Sequence, residues 1–283
     1  AEPTGVAVSK DGSKLYVTAG LGFGSVKVVD AATGKVTASF NAPHGPNSPV
    51  LSQDETQLFV CGQYENKVVV FDLKNNQRVA DIPVSRQPVA AALAPDGGKL
   101  FVANLSPSGN AVSNYNAAEI SVIDAKTDKL IANIALPSGS IDVQGICVSP
   151  DGKYVYATCV LARYHLPTSQ VDRGWMNTNA LAVIDAQTNK FVNTVLLDDT
   201  DLGAANPHGV ACAKDGKSIV VTHSGTHELS LIDAQAMHKK LDAVMSGQNA
   251  ATASRDVPND LAFMSGIRRR IPLQGVGPGD VII

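Results

Sequence analysis

A chain of 283 residues, 44% of them hydrophobic and 17% charged, is long enough to bury a large core. Its formal net charge of -3 excludes the strongly basic balance that marks nucleic-acid or anionic-membrane binders. No run approaches the roughly 18 apolar residues of a membrane helix, and no charged-then-apolar leader opens the sequence, as would also hold for a mature secreted protein.

Taken in chain order, the sequence repeats. The successive copies begin PTGVAVSKDGSKLYVTAG, NSPVLSQDETQLFVCG, PVAAALAPDGGKLFVANL, VQGICVSPDGKYVYATCV and PHGVACAKDGKSIVVTHS, and occupy approximately residues 1–43, 44–87, 88–140, 141–207 and 208–274. Aspartates at a turn recur at Asp11, Asp54, Asp96, Asp151 and Asp215. A second set closes a later strand at Asp30, Asp72, Asp124, Asp185 and Asp233, so two independent registers agree.

Each repeat predicts four short strands: one ending at a Ser/Ala-x-Asp-Gly turn, one of LYVT type, one of SVIDA type, and one of KLIANI type after a polar turn. Asp-Gly accepts positive φ at both turn positions, and period-two alternation gives each strand a buried face. Val6 and Val8, with Leu15 and Val17 in the next strand, are the core residues this pattern predicts in the first repeat. Four antiparallel strands recurring at about 40 to 50 residues describe the blades of an all-β propeller.

The fifth repeat is interrupted at residues 234–267, whose first part, 234–245, predicts a short surface helix before the fourth strand arrives in RRRIPLQ. Residues 277–283, GPGDVII, then match the start of a sixth blade. Because an open blade edge is a template for aggregation, a closed ring of seven blades in a longer parent chain is expected, with a partner chain that completes the propeller as the alternative.

The motifs LYVT (15–18) and LFVAN (100–104), with SPDGK–YVYA–VIDAQT in the fourth repeat, resemble those of the YVTN-type repeat propellers. Near the end, SGTHELSLIDAQAMHKKL, VPNDLAFMSGIRRRIPL and GVGP resemble bacterial propellers that precede a di-haem cytochrome c peroxidase-like domain. That resemblance implies a cell-surface or periplasmic setting and a c-type cytochrome domain or protein as partner. The chain has no C-x-x-C-H, so haem would come only with another segment or partner.

Propeller topology sends the loops after second and fourth strands to one end. There the long loops 106–118, 161–179 and 198–207 fall, with His44 and His208 in similar P-H-G segments, His165, His223 and His227, and Arg163, Tyr164, Arg173 and Trp175. His238 falls at the other end. His44, His208, His223 and His227 are the candidate metal ligands if their imidazoles converge; dispersed, they suit a polar docking surface. His223 and His227 are four apart, but Ser224-Gly225 between them and strand-like flanks exclude a helical metal motif. No nucleophile elbow or phosphate-binding loop is present, so no catalytic residue is assigned. The reading is a docking module; an enzyme of lactonase or quinohaemoprotein type with a metal or cofactor over the channel is the alternative.

Cys61, Cys147, Cys159 and Cys212 are scattered through strand-like runs, and all four are expected to be reduced. Cys147 and Cys159 share a hairpin, but a register centred on Asp151-Gly152 leaves them about one antiparallel pair apart.

Overall fold

The computed structural model describes residues 2–164, 176–247 and 256–283. It is all-β apart from one α-helix and short 3-10 turns, and its strands form five antiparallel sheets. The first sheet is β1 (Pro3–Val8), β2 (Lys14–Ala19), β3 (Gly24–Asp30) and β4 (Val36–Ala42). The second is β5 (Pro46–Leu51), β6 (Gln57–Gly62), β7 (Lys67–Asp72) and β8 (Gln77–Pro83). The third is β9 (Pro88–Leu93), β10 (Lys99–Asn104), β11 (Glu119–Asp124) and β12 (Lys129–Ala135).

In the fourth sheet the first strand is broken into β13 (Ser140–Ile141) and β14 (Ile146–Val148), both paired with β15 (Tyr154–Ala162). β16 (Asn177–Asp185) and β17 (Lys190–Leu196) complete it. The fifth is β18 (Pro207–Cys212), β19 (Ser218–His223), β20 (Glu228–Asp233) and, after helix α1 (Ala234–Met245), β21 (Arg268–Pro272).

By contact the chain forms two compact units, Ala1–Ser108 with Glu119–Ile134, and Gly109–Ala118 with Ala135–Ile283. Inside the first, the leading strands β1, β5 and β9 lie side by side; inside the second, β14 lies beside β18. Meandering four-stranded sheets set side by side through their first strands are the blades of a β-propeller.

Local chemistry explains both aspartate registers. In the first turn Asp11 accepts from the Ser9 and Ser13 hydroxyls and the Ser13 N–H at 2.7–2.9 Å, while the Ser9 hydroxyl accepts from Lys14 N–H. Ser52, Asp54 and Thr56, and then Ser149, Asp151 and Lys153, repeat the arrangement. Gly12, Gly97, Gly152 and Gly216 take the left-handed position beside it, where the second repeat instead strains Glu55 to φ 57°. The second register works the same way. Asp30, Asp124 and Asp185 each accept backbone N–H groups two or three residues on, and Asp233 uses this geometry to cap α1 at Ala236 N–H.

The cores lie between neighbouring sheets. Tyr16, Val26 and Val28 of the first sheet pack on Leu58, Val60, Val69 and Phe71 of the second. Val6 and Val8, predicted as core, are instead 55% and 54% exposed. Period two was correct but the face was not: Ala7 and Tyr16, of opposite parity, meet the second sheet, which leaves Val6, Val8, Leu15 and Val17 on the other side.

The closest approach between first strands in the second unit requires glycine. A Cβ on Gly145 would run into the His208 carbonyl, and one on Gly209 would stand 2.8 Å from Asp280 Cα. In each case a threonine of the second strand completes the contact. Thr158 accepts from Gly145 N–H and donates to the His208 carbonyl at 2.8 Å; Thr222 accepts from Gly209 N–H and donates to the Gly279 carbonyl. Residues 279–281 therefore pass close beside Gly209 of β18, as β18 passes close beside Gly145.

Candidate functional site

The predicted histidines do not form one constellation. His44 belongs to the first unit, in the exposed turn between β4 and β5. Its backbone N–H donates to Glu65 at 2.7 Å, and its ring meets the exposed Phe23 edge-on, with centroids 6.0 Å apart. His208 is not its counterpart. Pro46 faces Gly62 across β5 and β6 while Pro207 faces His223 across β18 and β19, and Gly62 and His223 both end second strands. Asn47 therefore holds the place of His208, and the P-H-G match is out of step by three residues.

His223 is a core residue rather than a loop ligand. It is fully buried, Nδ1 donates to the Ala204 carbonyl at 2.9 Å, and Nε2 accepts from the Ser230 hydroxyl at 2.8 Å. A carbonyl can only accept, which sets the neutral tautomer with its proton on Nδ1. Burial pushes the imidazole down to about 4, against the smaller opposing effects of the Ala204 carbonyl and Glu228. Both nitrogens are used, so neither is left for a metal.

The remaining two candidates in the second unit fasten the last segment. His227, left-handed at φ 56° in the β19–β20 turn, accepts the Gly277 N–H on Nδ1 at 2.9 Å. The His208 ring stands 3.6 Å from the Asp280 carboxylate, an ion-pair distance rather than a hydrogen bond. The carboxylate raises the His208 imidazole above its ordinary value despite partial burial, and the imidazole in turn lowers Asp280. Among the described residues no three His, Cys, Asp or Glu side chains are grouped to hold a metal ion.

Beneath this end of the second unit lies a polar cluster that the sequence did not point to. Asp198, 1% exposed, accepts from Asn179 N–H at 2.6 Å, Asn179 Nδ2 at 2.8 Å and Ala204 N–H at 2.7 Å. Asp199 takes ion pairs from Arg268 and, at 3.0 Å, from Arg270, whose second nitrogen pairs with Glu228 and donates to the Gly203 carbonyl at 2.6 Å. Burial alone would raise the Glu228 carboxyl, but Arg270 and the Thr226 hydroxyl outweigh it and hold it below its ordinary value. Loop 198–204 is thus pinned from both sides over His223.

Arg163 and Tyr164 follow β15. Arg163 donates to the Pro258 carbonyl at 2.8 Å and so ties two segments of chain together, while Tyr164, 43% exposed, shares a 2.9 Å hydrogen bond with Ser138. His165 and Trp175, and with them Arg173, lie outside the described residues. At the other end of the fifth sheet His238 stacks on Tyr154 at 3.9 Å and bonds the Tyr156 hydroxyl at 2.6 Å. Burial lowers the His238 imidazole and raises the Tyr156 phenol, so both members of the pair are held neutral.

The sheets and their loop ends define a β-propeller protein whose polar loop groups are largely bonded within the chain. No protein-family profile matches it. Among curated proteins it is 28% identical over 221 residues to hydrazine synthase subunit beta of Kuenenia stuttgartiensis, covering 77% of this chain and 54% of that one. It is also 28% identical over 163 residues to antigen Lp49 of Leptospira interrogans serogroup Icterohaemorrhagiae serovar copenhageni (strain Fiocruz L1-130), covering 54% of this chain and 35% of that one. The chain thus spans about half the length of the first relative and about a third of the second. Among solved structures, Kuenenia stuttgartiensis hydrazine synthase matches with a TM-score of 0.61 over 98% of this chain and 88% of that one. At 22% identity that likeness is one of fold. Among the described residues no helix is long and apolar enough to cross a membrane.

Proposed function

We propose that this chain is a non-catalytic docking propeller of the bacterial cell envelope that binds a redox protein of the c-type cytochrome class through the loop end of its second unit. The observation that carries the reading is the similarity over 221 residues to a protein named as one subunit of hydrazine synthase, since a subunit works against protein neighbours. The side chains support it. Tyr164, His208 and His227 are partly or well exposed, while the buried Asp198, His223 and Glu228 hold the loops beneath them. Loops held on a rigid scaffold are where binding residues are commonly carried. Any covalently bound c-type haem would belong to another segment or to the partner, because this stretch has no C-x-x-C-H.

The test is biolayer interferometry of the immobilised chain against a small bacterial c-type cytochrome. Saturable binding that weakens about tenfold in a Tyr164→Ala, His227→Ala double variant is expected, the scale of a modest interface hot spot. Absence of saturable binding at low salt would remove the proposal. Antibody detection in fractionated cells tests the envelope assignment, and a purely cytosolic signal would count against it.

A further inference from the structure

We propose that Cys147 and Cys212 are a built pair that an external disulfide converts to an intramolecular bridge, stapling the first strands of the fourth and fifth sheets. This inference is independent of the docking reading. Their Sγ atoms are 3.4 Å apart across 65 residues of sequence, already in contact and about 1.4 Å beyond a bond length of roughly 2.05 Å.

Repeat geometry explains why they meet. Cys147 faces Tyr156 in the β14–β15 ladder, and Cys212 faces Ile219 in the β18–β19 ladder. Counted from the equivalent glycines Gly145 and Gly209, Cys147 is two positions on and Cys212 three. Opposite parity sends the two side chains to opposite faces of their own sheets. Because β14 and β18 are neighbours, those are the faces turned toward each other. Both cysteines pack at the margin of the core between these sheets, formed by Tyr156, Leu181 and Val183 on one side and Val210, Ile219 and Val221 on the other.

Access separates this pair from the other two thiols. Cys147 and Cys212 are half-buried, whereas Cys61 and Cys159 are fully enclosed and their thiols are pushed up to about 12 by burial. The shared hydrogen bond with Cys212, reinforced by burial, holds the Cys147 proton tightly. Exchange is therefore slow at neutral pH and quickens in alkali, because the thiolate is the nucleophile.

The oxidant is a small-molecule disulfide, RS–SR. One cysteine thiolate attacks it, forming a protein–SR mixed disulfide and releasing RS⁻, which takes up a proton. The second thiolate, already in contact, attacks the protein sulfur and expels the other RS⁻. Two protein S–H groups and RS–SR become one protein S–S bond and two RS–H, with two electrons passed to the oxidant.

The full chain is incubated with oxidised glutathione at pH 8.5, quenched with N-ethylmaleimide and digested with trypsin. Cysteines alkylated by N-ethylmaleimide in denaturant should fall from the four in the sequence to two, and tryptic fragments 130–153 and 191–214, each holding one cysteine, should appear as one linked species. Closing so long a loop should raise Tm by roughly 5–15 °C, reversibly with dithiothreitol. Cys147→Ser and Cys212→Ser should each abolish the link and the rise. The Cys61→Ala, Cys159→Ala double variant should retain both, which keeps the test open if a single serine variant fails to fold. Four thiols remaining, a glutathione adduct that never resolves, or linkage through Cys61 or Cys159 would each overturn the proposal.

Discussion

His223 provides a quantitative test of how the second unit is built. Its imidazole is fully buried, bonded at both nitrogens in the neutral form, and lowered from an ordinary value of 6.5 to about 4, chiefly by burial. The unfolded chain therefore binds a proton near pH 6.5 that the folded chain refuses until about pH 4. Stability is fully present above pH 6.5 and falls between these values. At 1.36 kcal/mol per pH unit, the loss across that window is about 3 kcal/mol. His223→Gln retains an amide donor for the Ala204 carbonyl and an acceptor for the Ser230 hydroxyl, but does not titrate.

Urea unfolding at pH 7.5, 6.0, 5.0 and 4.5 should show wild-type stability falling through this range, and the Gln variant falling by about 2–3 kcal/mol less. Glu228, Arg268 and Arg270 surround the ring in both proteins, so their own titration cancels in the comparison. Parallel pH profiles for the two proteins would refute the assignment of a neutral, buried imidazole. So would a two-dimensional NMR titration placing the His223 midpoint near 6.5.

Removing Arg270 leaves Glu228 buried without its cation, so Arg270→Ala should destabilise the chain by about 3 kcal/mol; an Arg270→Met, Glu228→Gln pair should recover much of that in urea midpoints. Gly209→Ala would press a Cβ against Asp280 and should lift the last segment, seen as faster hydrogen exchange of the amides in 277–283; unchanged protection would refute the packing. The same amides should be best protected between about pH 4 and 6.5, where His208 and Asp280 are both charged. Protection should weaken as pH rises through the raised His208 value and as it falls through the lowered Asp280 value. Tyr156→Phe removes one hydrogen bond to His238 and should cost about 1 kcal/mol in thermal unfolding.

The all-β class and the four-stranded blades were legible because they rest on local rules that recur. Each Asp-Gly turn satisfies its own backbone within a few residues, and alternation gives every strand one apolar face. What alternation cannot say is which face meets a neighbour. Val6 and Val8 were assigned to the core on a correct period, and only the packing of the second sheet against Ala7 and Tyr16 decided otherwise.

The histidines show the same division. Their positions at strand ends and turns followed from the repeat, but the match of His44 to His208 failed because three letters in common do not define a ladder register. Nothing local distinguishes His223, enclosed between Ala204 and Ser230, from His227 four residues on at the surface. The meeting of Cys147 and Cys212 was present in the repeat as a difference of parity, yet it acquires meaning only once β14 and β18 are known to be neighbours. The sequence by itself determined the hydrogen bonds that a turn or a strand makes with its own near neighbours. Burial, pairing and the protonation of side chains depend on groups tens of residues away, and those were decided by the tertiary structure, because desolvation and sulfur–sulfur contact are properties of space rather than of spacing.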